Sequence, residues 1–139
     1  MRPGGLGEQM PSNIELVVGA LQAFSANDVD GMEQIVAEDV TYIIRGQSVF
    51  SGTYHGRDAM GNVLRRIQEI TGGTMAATPE VMLADDEAVM AYLHVTGSRP
   101  DGRTYDNYQA YLYGFRDGKL VEGQTIPVDQ QAFAEFLAD

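Results

Sequence analysis

The 139-residue sequence contains no cysteine. That excludes disulfides, thiolate nucleophiles and cysteine-ligated zinc, and it is compatible with a reducing cytoplasm, the expected location. Basic residues are scarce: nine Lys and Arg stand against twenty Asp and Glu, a formal net charge of −11. Phosphate repels such a surface, so neither nucleic acid nor an anionic membrane is an expected partner. No apolar run approaches the ~18 residues that a membrane-spanning helix needs. The opening "MRPGGLGEQMPS" lacks the apolar centre of a secretory signal and reads as a flexible Gly/Pro arm over residues 1–11. Histidine is limited to His55 and His94, neither with a carboxylate in ligand spacing, so no metal site is expected. No Ser-His-Asp set, GxSxG elbow, phosphate loop or dinucleotide fingerprint is present, and no cofactor is expected.

What remains has the make-up of one globular domain over residues 12–139, with 44% hydrophobic residues to build its core. Ser12-Asn13-Ile14-Glu15 is a capping box. Behind it Ile14, Val17, Val18, Leu21 and Phe24 share one helical face, which predicts a helix to about Ala26. Asp28 can cap a shorter helix showing Val29, Met32, Ile35 and Val36 on one side. "VTYIIR" is β-rich, and the Gly-punctuated "GQSVFSGTYHG" is loop or irregular strand. A third helix fits "RDAMGNVLRRIQEI", stopped by Gly72 and Gly73. From Thr74 the period changes to two, predicting strands Thr74–Leu83, Ala88–Gly97, Thr104–Arg116 and Lys119–Ile126 in an antiparallel meander, the last two joined by an Asp-Gly turn. Val128 and Phe133 flank Asp129 as a hydrophobic staple for a C-terminal helix. Helices followed by a meander make an α+β layout.

"YDNYQAYLYGF", Tyr105 to Phe115, holds five of the chain's twelve Phe and Tyr residues. Simple alternation puts Tyr105, Asn107, Gln109, Tyr111, Tyr113 and Phe115 on one face and Asp106, Tyr108, Ala110, Leu112 and Gly114 on the other. The first face grades from amides to Phe. A pocket with an apolar floor and hydrogen-bonding groups nearer its mouth would produce that gradient. The rival arrangement leaves this face wet and packs the other on the helices.

The segments "ANDVDGMEQIVAEDVTYII", "SGTYHGRDAM", "FRDGKLVEG" and "PVDQQAFAEFL", in this order, resemble the nuclear transport factor 2-like (NTF2-like) superfamily over about Asn13 to Leu137. Within it the chain is similar to the SnoaL-like and ketosteroid-isomerase-like branch. The resemblance implies a cone-shaped, cystatin-like fold, in which a strongly bent antiparallel sheet wraps the N-terminal helices around a single cavity. It implies a homodimer as well. It places the odd-numbered face of Tyr105–Phe115 in that cavity, with Phe115 deep. The three catalytic positions of ketosteroid isomerases fall on Ile43, Ala20 and Tyr111, none kept as such, so steroid isomerisation is not expected. Tyr111 can still donate to a developing oxyanion. Limonene-epoxide-hydrolase-like relatives use an Arg and two Asp, and neither "RTYDN" nor "VEGQT" reproduces that pattern.

A donor set is left. Arg45 either shares the face of Ile43 or lies in water past the strand end. Tyr54, in the "GTYHG" segment, lines the cavity in relatives, and Tyr42 is expected to pack under the sheet. Asn107, Gln109 and Gln124 would orient a ligand with Tyr113, Phe115 and Ile43 around it. His55 and Glu122 are the candidates for moving a proton, and His94 is expected to face outward. SnoaL-like relatives include polyketide cyclases. The expected activity is therefore a cofactor-independent cyclase or isomerase that shapes a mostly apolar, polyketide-like molecule and hydrogen-bonds its carbonyl. A non-catalytic dimeric ligand-binding domain and an epoxide or lactone hydrolase are the alternatives.

Overall fold

The computed structural model describes residues 12–139; the predicted arm over residues 1–11 lies outside them. Helix α1, Asn13–Ser25, starts as its sequence dictates: the Ser12 hydroxyl accepts from the Glu15 amide, and Glu15 returns a bond to Ser12 N. Val17, Leu21 and Phe24 bury its inner face. Helix α2 is only Val29–Glu33, capped by Asp28 and held to α3 by Arg65, which bridges Asp30 and Glu33. Ile35 and Val36 do not extend it. Val36 instead opens strand β1, Val36–Ile44, because it pairs with Leu120 far along the chain.

Strand β2, Gly52–His55, leads into helix α3, Arg57–Ile70, which buries Met60, Val63, Leu64 and Ile67. Gly72 and Gly73 stop α3 at φ of 63° and 76°. Strands β3 (Ala76–Ala84), β4 (Ala88–Ser98), β5 (Thr104–Arg116) and β6 (Lys119–Pro127) form the antiparallel meander. Asp117 and Gly118, both at positive φ, make the two-residue turn between β5 and β6 that the right-handed twist of the strands favours. Strand β1 joins β6 in parallel and carries β2 on its outer edge, giving the order β2-β1-β6-β5-β4-β3. Helix α4, Gln130–Leu137, is capped by Asp129. Val128 stays exposed, so the expected staple does not form, and Phe133 turns into the core instead.

The architecture is α+β, with a curved six-stranded sheet and the helices on one face. Register decides which side chains meet them. Tyr111 stands opposite Thr125, and Tyr113 opposite Gly123, while Tyr42 neighbours Gly123 in the parallel ladder. These residues share the inner face with Val40, Ile44, Val89, Ala91, Leu93 and Val95, all buried. Gly123 leaves room for the Tyr42 ring: a Cβ on it would stand 3.2 Å away, closer than ordinary contact.

Candidate functional site

A cavity lies between the helices and the inner face of the sheet. Val17, Ala20, Leu21 and Phe24 of α1, Met32 of α2, and Met60 and Leu64 of α3 form its roof. Tyr42, Tyr111, Tyr113 and Leu120 form the sheet side, and Ile35 and Val36 close the end near α2. Its volume, counted as room for the centres of water-sized molecules, is about 50 Å³. At about 10–15 Å³ per water this holds a handful of waters, fewer than a drug-sized ligand would displace.

Nearly all of the wall is apolar. Its polar atoms come from three phenols with Thr125 behind them. The Tyr42 and Thr125 hydroxyls share a buried hydrogen bond of 2.6 Å. Tyr111 and Tyr113 pack at a tilt, ring centres 5.6 Å apart. Among the described residues the Tyr113 hydroxyl has no protein partner. Burial pushes the Tyr42 phenol up to about 12, the Thr125 bond offsetting it slightly and Tyr54 adding to it. Burial drives Tyr111 and Tyr113 upward as well, and each has neighbouring phenols that push the same way. All three are therefore neutral at physiological pH: they donate hydrogen bonds and do not abstract protons. No carboxylate, imidazole or cation borders the cavity among the described residues.

The other sequence-predicted residues lie elsewhere. Arg45 is exposed on the opposite face of the sheet, where its Nε donates to Gln124 Oε1 at 3.0 Å. Ile43 shares that outer face, paired with Gln124. The expectation that Ile43 and Arg45 face the cavity is corrected by parity: Val40, Tyr42 and Ile44 are the buried set, and Tyr42 occupies the wall. Glu122 and Gln124 also point outward, beside Leu112 and Met90 in a shallow surface depression. His55 is exposed next to Glu38, Asp39 and Arg57, on the far side of the sheet edge from the cavity. Tyr54 is opposite Tyr42 on the inner side, but its hydroxyl donates to Phe50 O at 2.6 Å and it packs behind the cavity wall.

Strand β5 carries the inner face as alternation predicts, but not all of it reaches the cavity. Gln109 is fully buried and donates to the Tyr105 hydroxyl at 3.2 Å. Tyr105 in turn lies under Phe133 and Phe136 of α4, ring centres 5.1 and 5.4 Å away. Helix α4 thus plugs the end of the cone where the amides were expected to form a mouth. Arg99 and Arg103 hold its last carbonyls in place. Asn107 sits at the surface, its Oδ1 accepting from Tyr108 N. Phe115 is buried in the core beyond the cavity. Sequence reasoning missed Tyr42 and Thr125. The signal was available: in Val40–Arg45 one parity is wholly apolar and aromatic, and the other contains Thr41 and Arg45.

The sequence profile of the SnoaL-like domain family matches residues 17–123. The Mycobacterium tuberculosis protein Rv0034, described as uncharacterized, is 27% identical over 128 residues, which is 91% of this chain and 97% of that protein. Among solved structures, Bal32a from a soil-derived mobile gene cassette superposes with a TM-score of 0.84 at 26% identity, covering 90% of this chain and 95% of that one. TerC, co-crystallized with polyporic acid, gives 0.79 at 22% identity over 90% of this chain and 97% of its own. Further matching structures are described as NTF2-like or cystatin-like folds.

Proposed function

This chain belongs to the SnoaL-like domain family, and from that premise we propose that its cavity admits a small, mostly apolar, polyketide-like molecule and promotes ring closure or isomerisation without a cofactor. Tyr111 and Tyr113 donate hydrogen bonds to a carbonyl oxygen of the substrate as negative charge builds on it, and Tyr42 with Thr125 holds the back of that pair. The single observation that carries this reading is an apolar chamber whose polar side-chain atoms, among the described residues, belong to neutral phenols. Donors fixed in such a place stabilise a developing oxyanion far better than water-exposed ones. With no base on the wall among the described residues, proton movement is left to the substrate itself. That favours cycloaddition-type closures, or closures of a molecule already enolised, in which the protein contributes mainly by folding a flexible chain into its reactive pose. Entry requires the walls to yield. Met32 and Met60 are the side chains suited to it, unbranched and able to repack. The co-crystal of TerC with polyporic acid supports a small organic ligand for this fold.

A second reading, a domain that binds the same kind of molecule without converting it, is favoured by that same lack of a base. The hydrolase alternative has no support from the geometry: Arg45, His55 and Glu122 all lie away from the cavity. The test compares uptake of acetophenone, a neutral carbonyl, with benzoate, its anionic counterpart, by change in melting temperature and by tyrosine fluorescence. Acetophenone should bind and benzoate should not, and Tyr111→Phe should weaken the binding of acetophenone. Equal binding of both, or of neither, sinks the carbonyl reading. Once a substrate is known, Tyr111→Phe should cost about 10-fold or more in turnover if the domain is catalytic.

A further inference from the structure

The closed chamber, at about 50 Å³, is shorter than a ligand of two or more rings, so such a ligand needs one end wall to move. The two ends differ. Near α2 the wall is apolar, with Met32, Val36 and Leu120 all buried, and Arg65 fastens α2 to α3 through two carboxylates. At the other end the inner face of β5 continues past Tyr111 to Gln109 and Tyr105, and what closes it is α4.

The ground beneath α4 has the shape of a slot. Gly97 pairs with Tyr105 across β4 and β5 and puts no side chain on the floor. The Met75 sulfur and the Phe136 ring fill the space a Cβ would take, the ring's Cζ standing 3.4 Å from it. The polar atoms here are underused. An amide side chain can make about four hydrogen bonds; that of Gln109, 1% exposed, makes one among the described residues, to the Tyr105 hydroxyl. The latch shares the defect. Arg99 donates to Phe136 O and Ala138 O at 3.0 and 3.1 Å, but its buried Nε has no partner among the described residues. Buried polar groups are normally satisfied, and lifting α4 would give these groups water or a ligand. No ladder bond opposes the movement. Strand β6 ends at Pro127, Val128 N is pinned to Tyr108 O, and only the exposed Val128 and the Asp129 cap lead into the helix.

We propose that α4 occupies part of the ligand site. Its Phe133 and Phe136 rings fill the place where the second aromatic ring of an extended neutral ketone lies, and that ligand binds by lifting α4 from Tyr105 and Gln109. The proposal rests on the reading of the chamber as a carbonyl site and adds a second subsite to it, one that takes a flat ring and offers it an amide and a phenol. Such a subsite exists in a minor, open state that the ligand makes dominant. Apparent affinity is reduced by the fraction of chains that are closed, so loosening α4 strengthens binding.

Hydrogen exchange and isothermal titration of the wild type and Arg99→Met test it, with acetophenone as the one-ring probe and para-acetylbiphenyl as the two-ring probe. Without ligand, Arg99→Met should speed exchange of the α4 amides about 10-fold, as loss of a charged hydrogen bond predicts, and leave those of α3 unchanged. The two-ring ketone should speed α4 exchange in the wild type and bind Arg99→Met about 10-fold more tightly; acetophenone should do neither. A merely structural role for Arg99 strengthens no binding. Equal acceleration of α3 and α4 means that the helix leaves only with global unfolding, and it overturns the proposal. So does protection of α4 by the two-ring ketone, or an affinity that Arg99→Met leaves unchanged. If acetophenone binds and the two-ring ketone is refused, the second subsite falls and the chamber reading stands. If the two-ring ketone frees α4 while acetophenone is refused, the subsite stands and the chamber reading falls; refusal of both sinks both.

Discussion

Replacing Thr125 by Val keeps the side chain's shape and removes its hydroxyl, leaving the Tyr42 hydroxyl without the partner it meets at 2.6 Å. Both residues are almost completely buried, at 3% and 5% exposure, so the loss is not made good by bulk solvent. A buried hydroxyl stranded in this way costs about 1–3 kcal/mol. With unfolding entropy near 2.1 cal/mol/K per residue, a chain of this size loses about 3–10 °C of melting temperature. Adding Tyr42→Phe removes the stranded group as well, and the double variant should recover most of the loss, because deleting both partners avoids the desolvation penalty. Differential scanning calorimetry on the wild type, the two single variants and the double completes the cycle. If Thr125→Val melts with the wild type, the Tyr42 hydroxyl does not depend on Thr125 for its hydrogen bond, and the reasoning fails. If the double variant melts as low as the worse single, the two hydroxyls are not coupled.

The phenols also set an alkaline limit. The unfolded chain releases its tyrosine protons near pH 10, whereas folded Tyr42 holds its own to about 12. Between those values the unfolded state binds fewer protons, so stability is intact below pH 10 and falls by about 2 kcal/mol from this residue alone as pH rises to 12. Urea unfolding at pH 9 and pH 11, with phenolate absorbance recorded in parallel, checks it; native tyrosines that all titrate near 10 would contradict it. Ala20 borders the cavity from α1, so Ala20→Leu should fill the void at a cost to stability of no more than about 3 kcal/mol while abolishing ligand uptake, measured by thermal shift with and without acetophenone. Undiminished uptake by this variant would place the ligand somewhere else.

Where sequence and structure agree, local chemistry was sufficient. The capping box at Ser12, the "RDAMGNVLRRIQEI" stripe ended by two glycines, and the Asp117-Gly118 turn each specify their element within a few residues. The face of β5 was legible because thirteen residues of strict alternation leave only two choices, and Tyr111 and Tyr113 lie on the aromatic one. Failures came where distant segments decide. Val36 reads as helix until it pairs with Leu120, and counting from a motif places Ile43 inward, whereas Val36, Val40, Tyr42 and Ile44 form the buried parity of β1. A one-residue slip in a strand exchanges its two faces, so a site inferred by counting from a motif inherits the error in full. Arg45 went astray by that route. Nothing local announces that α4 folds back on Tyr105, which is why Gln109 and Asn107 were expected at a mouth that Phe133 and Phe136 close.

The parallel pairing of β1 with β6 has a consequence for how the molecule is made. Its hydroxyl contact at the rear of the cavity joins residues 83 positions apart, and β6 leaves the ribosome after the five other strands of the sheet. Until then α1, α2 and β1 have emerged with their apolar sides unpaired, and the closing of such a long loop is the slow part of assembly. The chamber is therefore completed only once β6 has emerged, and a chain interrupted before Lys119 would possess both cavity-lining tyrosines of β5 and no enclosure to hold them.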